Sequence, residues 1–239
     1  MRRLRDGITK INREKMSTTV IIPTKNEIIG VKKILPMVDK KWAEEWLVID
    51  GGSTDGTIEE VKRLDFKIIQ QKGKGLGNAY REGVKIASSE NVLFFSPDGN
   101  AIAEDIPKLI KKRDEGDYDI VQISRFGKNG KSEDDTIITS FGNRMFTFLV
   151  NVFFGGKLTD ALFGFKIVKK EIFDKINLDG EFLTLEQQMS IKASKLHLKI
   201  AEIDGVEPKR IGGKAKMQPL PTGARLSSQI IKEFIFWKS

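Results

Sequence analysis

Residues 91–100 read NVLFFSPDGN, and this stretch predicts both the type of sheet and the position of a ligand. The run VLFF is short and continuously apolar, as in a strand that is buried on both faces of a parallel sheet. A proline and a glycine then end the strand in a tight turn that carries Asp98 and Asn100. Ligands of open α/β sheets bind at the carboxyl ends of strands. A carboxylate and an amide oxygen there suit a hard divalent cation, although a hairpin or helix-capping turn would use the same residues.

The order of strand, polar or glycine-rich loop and amphipathic helix recurs along the chain. Apolar strands are predicted at 19–23, 46–50 and 66–70 in the first half, and further strands at 164–168 and 198–203. Such a recurrence predicts βαβ units. The fold class is therefore α/β, with a single Rossmann-like domain in which helices flank a mostly parallel central sheet.

Composition limits the partners and the compartment. The formal net charge of +8, from 41 basic and 33 acidic residues, favours anionic partners such as nucleotide diphosphates, anionic lipid or nucleic acid. No nucleic-acid-binding motif accompanies this charge, so no nucleic acid is expected. The chain has no cysteine, which excludes disulfides and thiolate metal sites. The arginines near the N-terminus precede no apolar signal-peptide core, and a cytoplasmic location is predicted.

The predicted domain occupies residues 18–216. Residues 1–17 are basic and polar, and they are interpreted as an N-terminal extension. Residues 217–239 predict a C-terminal amphipathic helix that packs on the domain or on a membrane surface.

One predicted helix, at 136–154, is apolar nearly all round. Its most apolar part, MFTFLVNVFF at 145–154, is shorter than the ~18 apolar residues of a membrane span, so no spanning segment is expected. Burial in the domain or in a homodimer contact is the main expectation, and insertion into a membrane interface is the alternative.

Two glycine loops carry candidate phosphate contacts. KGKGLG at 72–77 includes Lys74 and opens a helix, where lysines and free amides can meet phosphate, although its spacing fits neither common nucleotide fingerprint. The second loop, RIGGK at 210–214, brings two cations that could fold over a diphosphate like a lid; a solvated basic loop is the alternative.

Five motifs follow one another in a characteristic order: VIIPTKNE, LVIDGGSTDGT, KGKGLGNAYREG, FFSPDGN and TDALFGFKIVKKEIF. In this order and at this spacing they resemble the family 2 glycosyltransferases of the GT-A fold, over roughly residues 18–215. The branch that they resemble most is that of the dolichyl- or polyprenyl-phosphate sugar transferases.

The resemblance implies a nucleotide-sugar site. The loop after the first strand would hold the nucleoside, and Asp50 would contact the base. Gly51 stands where the family often has a second acid, and Ser96 replaces the first acid of the D-x-D element. Residues expected to contact the sugar nucleotide are Pro23, Thr24, Asn26, Glu27, Asp50, Gly51, Ser53, Lys74, Ser96, Arg210 and Lys214.

The resemblance also implies the chemistry. Mg²⁺ or Mn²⁺ held by Asp98 and Asn100, with the cations of the second glycine loop, would stabilise the leaving diphosphate of a UDP- or GDP-sugar. A hexosyl group would pass with inversion to a polyprenyl phosphate or to a glycan, and a polyprenyl phosphate would place the enzyme at the inner face of an anionic membrane.

A hydroxyl acceptor would need a general base, for which Asp160 and Glu186 are the acids implied by the resemblance. Asp160 could equally be structural, and Glu186 a surface charge. A polyprenyl phosphate would need no base, because it is already an anion.

Two other classes of function remain as alternatives. The replacement of family acids by Gly51 and Ser96 fits a non-catalytic nucleotide-sugar binding module of the same fold. A sugar-nucleotide pyrophosphorylase would share the α/β sheet, but it is expected to have a glycine- and arginine-rich phosphate loop after the first strand, where this chain has TKNE.

Overall fold

A seven-stranded sheet forms the centre of the structure, a computed structural model that describes residues 16–181, 183–212 and 218–236. The strands are β1 (Thr18–Thr24), β2 (Glu45–Asp50), β3 (Lys67–Gln70), β4 (Asn91–Phe94), β5 (Ile120–Ser124), β7 (Lys166–Lys169) and β8 (Ile200–Asp204), and the short strands β6 (Lys131–Ser132) and β9 (Val206–Glu207) pair separately. The helices are α1 (Ile28–Ile34), α2 (Thr57–Arg63), α3 (Leu76–Ile86), α4 (Ile106–Gly116), α5 (Ile137–Phe154), α6 (Lys170–Ile176), α7 (Leu183–Lys195) and α8 (Pro219–Ile235).

The strand order is β3-β2-β1-β4-β7-β5-β8. All neighbours in this order are parallel except β7, which runs antiparallel to both β4 and β5. The prediction of a mostly parallel sheet flanked by helices is therefore confirmed. The strand predicted at 164–168 begins two residues later, at Lys166, because Gly164 lies in a loop against α7: a Cβ on Gly164 would stand 2.8 Å from Glu186 Oε1.

Helices cover both faces of the sheet, as the continuously apolar strands require. On one face, Val20 and Ile22 of β1 pack in a cluster with Val31 of α1 and Leu109 of α4. On the other face, Ile21 packs with residues of α3, α6 and α7, among them Tyr80, Phe173 and Met189. Because alternate β1 side chains enter opposite clusters, β1 and its neighbours fix both helical layers to one sheet.

Helix α5 departs from its predicted environment. Its extent agrees with the sequence pattern, and it begins at a capping box formed by Thr136 and Thr139. One side, including Phe146, Val150 and Phe154, packs in a third cluster with α7 and α8. The other side is exposed, so the expectation of burial in the domain is wrong for that side: Ile137, Ile138, Phe141, Phe148, Val152 and Phe153 are open to solvent.

By length and composition, α5 is the one helix of the described residues that could cross a membrane, with a mean hydropathy of 1.3 over its 18 residues. The expectation that no segment reaches this size is therefore wrong. The contacts of Phe146 and Val150 with the domain nevertheless hold one side of α5 against protein.

Helix α8 has the same two-sided character. Leu226 and Ile230 are buried, whereas Ile231, Phe234 and Ile235 are exposed. The rings of Phe153 and Phe234 lie 5.7 Å apart, so the exposed sides of α5 and α8 meet. We call these two exposed sides together the apolar ridge.

Candidate active site

The turn after β4 lies where the sequence predicted it, at the carboxyl edge of the sheet. Gly99 has a φ of +94°, a conformation that a side chain would strain. Helix α1 approaches the same turn closely, because a Cβ on Gly30 would stand 2.1 Å from the Pro97 carbonyl oxygen. Asp98 and Asn100 are buried, Ser96 is half-buried, and the Asn100 amide donates to Asp98 Oδ1 at 3.1 Å. The turn is thus held rigidly between α1 and the sheet.

The basic segment after β9 docks on this turn. Arg210 Nη2 lies 2.8 Å from Asp98 Oδ2, and the Ile211 amide donates to the Asp98 carbonyl at 3.0 Å. The structure therefore brings Arg210 to the Asp98 turn, and contact of Arg210 with a diphosphate stays a prediction. Lys214, the second expected cation, lies outside the described residues.

The loops after β1 and β2 form one hydrogen-bonded unit. Asp50 is fully buried and accepts four hydrogen bonds: Oδ1 from the Gly52 and Ser53 amides, and Oδ2 from the hydroxyls of Thr24 and Ser53. Asn26 joins the same unit, since its backbone amide donates to Ser53 Oγ at 2.8 Å. Asp50 is thus the centre that orders this loop pair, and contact of its carboxylate with a base stays a prediction.

The remaining expected donor contacts lie around this unit. The Glu27 amide donates to Thr57 Oγ1 at 3.0 Å, which ties the start of α1 to α2. Pro23 and Gly51 are half-buried at the ends of β1 and β2. Lys74 is exposed in the loop before α3, and its contact with phosphate stays a prediction.

Asp160 forms a buried ion pair with Arg125, the residue that follows β5. Its Oδ2 accepts from Arg125 Nε at 2.7 Å, and its Oδ1 accepts from Nη2 at 3.0 Å. The backbone amides of Arg125 and Leu162 donate to the same carboxylate. All four hydrogen-bonding positions of the carboxylate are therefore occupied. This arrangement favours the structural interpretation of Asp160 over that of a general base.

The other candidate base, Glu186, is buried, so its interpretation as a surface charge is wrong. Its Oε2 lies 3.2 Å from Nζ of Lys166, which is itself fully buried. Tyr80 is the third member of this group: burial, followed by the charges of Glu186 and Asp98, raises the pKa of the Tyr80 hydroxyl well above its ordinary value. Tyr80 therefore stays protonated at neutral pH, and Glu186 is held between an ammonium and a phenol.

A polar network continues from the turn toward β9. Asn100 Nδ2 donates to Asp134 Oδ2 at 2.9 Å and to Glu207 Oε1 at 3.3 Å. The other carboxylate oxygen of Glu207 lies 3.2 Å from Arg125 Nη1. One chain of contacts thus connects the Asp98 turn to the Arg125–Asp160 pair. Burial lowers the pKa of Arg125, but the charges of Asp160 and Glu207 outweigh this and leave the pKa above its ordinary value, so Arg125 remains a cation.

A cavity of about 440 Å³ opens beside Arg125 at the N-terminal end of α5. Its walls include three cations, one acid and two serine hydroxyls: Arg125, Lys131, Arg144, Asp135, Ser132 and Ser140. The Arg144 guanidinium lies over the Phe126 ring at 4.4 Å from its centroid. We call this cavity the cationic pocket. It lies between the polar network and the start of the apolar ridge.

The acidic turn fits a divalent cation only in part. Asp98 supplies one carboxylate, and Asn100 Oδ1 is buried and has no hydrogen-bond partner. Such an oxygen is a suitable ligand for Mg²⁺ or Mn²⁺. The described residues contain no group of three or more His, Cys, Asp or Glu side chains that could hold a metal ion. A cation here would therefore take several ligands from a bound diphosphate.

Sequence reasoning did not identify Arg125, Asp134, Lys166 or Glu207. Two of them could have been found by position, because Arg125 follows β5 and Glu207 lies just beyond β8, at the carboxyl edge of the sheet. Asp134 lay in a stretch that reads as a polar surface loop, and Lys166 in one that reads as a strand. Neither pattern indicates a buried contact.

These features define an α/β fold with an acidic turn and a basic segment at the carboxyl edge of its sheet. The sequence model of glycosyl transferase family 2 matches residues 19–177, which is most of the domain. The chain belongs to that family and is a transferase.

Two relatives from Haloferax volcanii cover most of the chain. Glycosyltransferase AglJ is 28% identical over 206 residues, which are 85% of this chain and 67% of AglJ. The low-salt glycan biosynthesis hexosyltransferase Agl6 is 26% identical over 213 residues, which are 87% of this chain and 51% of Agl6. The chain thus spans about half the length of Agl6.

Solved structures of glucosyl-3-phosphoglycerate synthase from Mycobacterium tuberculosis share the fold. A complex with Mn²⁺, UDP and phosphoglyceric acid has a TM-score of 0.70 at 19% identity and covers 94% of this chain and 80% of the synthase. A complex with Mg²⁺ and UDP has a TM-score of 0.69, also at 19% identity, with 94% and 81% covered. These similarities confirm the predicted GT-A fold.

Proposed function

We propose that the protein transfers a hexosyl group from a UDP- or GDP-sugar to the phosphate of a polyprenyl carrier, at the cytoplasmic face of a membrane. Family membership supports the transfer of a sugar. The donor class is supported by the fold neighbours, whose structures contain UDP with Mn²⁺ or Mg²⁺. The acceptor class rests on features of this chain.

The observation that carries the proposal is the state of the two candidate bases. The Asp160 carboxylate receives four hydrogen bonds, two of them from the Arg125 side chain. Glu186 is buried beside the Lys166 ammonium. The Asp160 carboxylate is therefore not placed to take a proton from an acceptor hydroxyl, and the Glu186 carboxylate is closed off from solvent. A phosphate acceptor is already an anion at neutral pH and can attack the anomeric carbon without a base.

The cationic pocket and the apolar ridge match the two parts of such an acceptor. Arg144 and Lys131 line the pocket and can neutralise a phosphate there. Ile137, Ile138 and Phe141 begin the apolar ridge at the same end of α5, and they are exposed. A polyprenyl chain that lies along the ridge would therefore bring its phosphate to the pocket, and the ridge itself would rest in the membrane interface.

On the donor side, Asp98 and Asn100 would hold Mg²⁺ or Mn²⁺ against the diphosphate. The bound metal would supply a Lewis acid that stabilises the charge developing on the leaving nucleoside diphosphate. Arg210 would move its guanidinium from Asp98 to the diphosphate and clamp it. The Asp50-centred loops would enclose the nucleoside, and attack from the pocket side would invert the anomeric configuration.

The test combines donor binding with transfer. Calorimetric titration with UDP, GDP and their hexose conjugates, with and without Mn²⁺, should give metal-dependent binding of one diphosphate. The Asp98→Asn variant should then lose about 100-fold or more in transfer to a polyprenyl phosphate. A matched control is Asp65→Asn, because Asp65 is exposed and its φ of +56° is one that asparagine tolerates.

Each part of the proposal can fail separately. Full transfer activity of Asp98→Asn would overturn the metal site. Metal-dependent donor binding without transfer to any acceptor would favour the non-catalytic binding module instead. Transfer to a soluble hydroxyl acceptor in preference to a polyprenyl phosphate would overturn the acceptor class.

A further inference from the structure

The side-chain amide of Asn100 is fixed by two carboxylates. Its Nδ2 donates to Asp134 Oδ2 at 2.9 Å and to Glu207 Oε1 at 3.3 Å. Carboxylates only accept, so both contacts require the NH₂ group and exclude the opposite orientation of the amide. The oxygen Oδ1 is consequently directed away from both acids.

This orientation leaves Oδ1 buried and without a hydrogen-bond partner. An unsatisfied buried polar atom is costly, and contact with a ligand is one reason for a native protein to retain it. Asn100 lies two residues from Asp98 on the same rigid turn, and the backbone amide of Asn100 donates to Asp98 Oδ1 at 3.1 Å. The available oxygen thus belongs to the same turn as the Asp98 carboxylate.

We propose that Glu207, assisted by Asp134, is a positioning residue that presents Asn100 Oδ1 to the divalent cation beside Asp98. The inference rests on the metal-dependent donor site proposed above. Glu207 does not contact the cation in this arrangement. It acts through the orientation of the Asn100 amide.

Glu207 is itself fixed from its far side. Its Oε2 accepts from Arg125 Nη1 at 3.2 Å and from the Ser132 hydroxyl at 2.5 Å. Both partners are donors, so they would retain the oxygen of a glutamine at this position and direct its NH₂ group toward Asn100. A Glu207→Gln substitution should therefore set two NH₂ groups against each other and displace the Asn100 amide from its present orientation, because only the contact with Asp134 would still favour it.

The measurement is the affinity for Mn²⁺ in the presence of saturating UDP, followed by the electron paramagnetic resonance signal of free Mn²⁺. Glu207→Gln should weaken Mn²⁺ binding about 10-fold, the lower end of the effect typical for residues that orient metal ligands. The affinity for UDP without metal should stay as in the wild type. Glu133→Gln is the matched control: it removes the same charge from the exposed Glu133–Lys131 pair and should leave Mn²⁺ affinity unchanged.

A double variant separates positioning from a purely structural role. In Asn100→Asp alone, the new carboxylate would lie at hydrogen-bond distance from the carboxylates of Glu207 and Asp134. Their mutual repulsion should displace it, and Mn²⁺ affinity should fall. In Asn100→Asp with Glu207→Gln, the glutamine can donate to one aspartate oxygen and leave the other for the cation. Affinity should then return to the wild-type value or exceed it.

The possible results discriminate clearly. Wild-type Mn²⁺ affinity in Glu207→Gln overturns the inference, and so does a failure of the double variant to recover while thermal unfolding shows that it is folded. If Asp98→Asn abolishes Mn²⁺ binding in the same series, the proposed donor site stands even when the role of Glu207 does not. If wild-type protein binds no Mn²⁺ with any diphosphate, both proposals are wrong.

Discussion

Two buried aspartates, Asp50 and Asp160, each receive four hydrogen bonds, but from different sources. The donors to Asp50 are neutral: the amides of Gly52 and Ser53 and the hydroxyls of Thr24 and Ser53. Two of the donors to Asp160 belong to one guanidinium, that of Arg125, which lies 35 residues earlier in the chain. The donor loops are thus organised by contacts with neutral donors, whereas the acceptor side depends on buried charge.

This difference predicts unequal sensitivity to mutation. Removing a carboxylate from among neutral donors leaves hydrogen bonds unmade. Removing one partner of a buried ion pair leaves a charge that is not compensated, which is the more costly outcome.

The largest effect is expected for Asp160→Ala. It should lower the free energy of unfolding by about 3–5 kcal/mol, because the buried Arg125 loses the carboxylate that pairs with its Nε and Nη2 and keeps the longer contact with Glu207. Chemical denaturation at neutral pH measures this loss. A double variant, Arg125→Met with Asp160→Leu, removes the stranded guanidinium but leaves buried Glu207 without its ion-pair partner, so it should recover only part of the loss. A loss below about 1 kcal/mol in Asp160→Ala would remove the contrast with Asp50.

Asp50→Ala should cost less, about 2 kcal/mol, because its four donors are neutral. The loss should be concentrated in the loop pair, and amide hydrogen exchange at Gly52 and Ser53 should accelerate more than exchange in β1. Denaturation and exchange of the same sample check both points. Equal or greater destabilisation than in Asp160→Ala would contradict the comparison.

Glu45, on β2 at the opposite end of the strand from Asp50, gives a third case with mixed donors. Burial alone would raise its pKa, but hydrogen bonds from Ser88, Thr19 and Lys67 outweigh this and lower the pKa of Glu45 to about 2. Because the pKa is lower in the folded state, the stabilisation is present above the ordinary pKa of 4.5 and is lost as the pH falls toward 2.

A Glu45→Gln variant should therefore lose about 2 kcal/mol at pH 7, and the difference from the wild type should shrink below pH 4.5. Urea denaturation at a series of pH values measures this profile. Transfer activity should not change, since Glu45 lies at the far end of the sheet from the Asp98 turn. A difference that is constant from pH 7 to pH 3 would show that the charge of Glu45 is not responsible.

The same comparison explains what the sequence could predict. The donor half follows a local pattern in which each apolar strand ends in a loop, so β1, β2, β4 and the positions of Asp50 and Asp98 could be inferred from neighbouring residues. Contacts between distant segments leave no such pattern. The pairing of Arg125 with Asp160 depends on how the end of β5 meets the loop before β7, and the pairing of Asn100 with Glu207 depends on how β9 meets the turn after β4. The antiparallel direction of β7 was likewise not encoded in a period or a turn signature.

The smallest effect on stability is expected on the apolar ridge. Phe148 is exposed on α5, and Phe148→Ser should change the free energy of unfolding by less than about 0.5 kcal/mol. Phe146, two residues earlier, is buried on the opposite side of the same helix, and Phe146→Ala should cost about 3 kcal/mol. The two phenylalanines thus separate the stability of the domain from the function of the ridge.

Phe148→Ser should nevertheless weaken binding to a membrane, because burial of an apolar side chain contributes to interfacial affinity. Flotation with vesicles that contain an anionic lipid measures this, at low and at raised salt, since basic residues such as Arg144 and Arg225 add an electrostatic attraction that salt screens. Loss of this single exposed ring should lower the floated fraction at both salt concentrations, whereas removal of a cation should lower it mainly at low salt. If Phe148→Ser instead shifts a dimer to a monomer in analytical ultracentrifugation and leaves flotation unchanged, the ridge is a contact between two copies of the chain and the acceptor side faces protein rather than lipid.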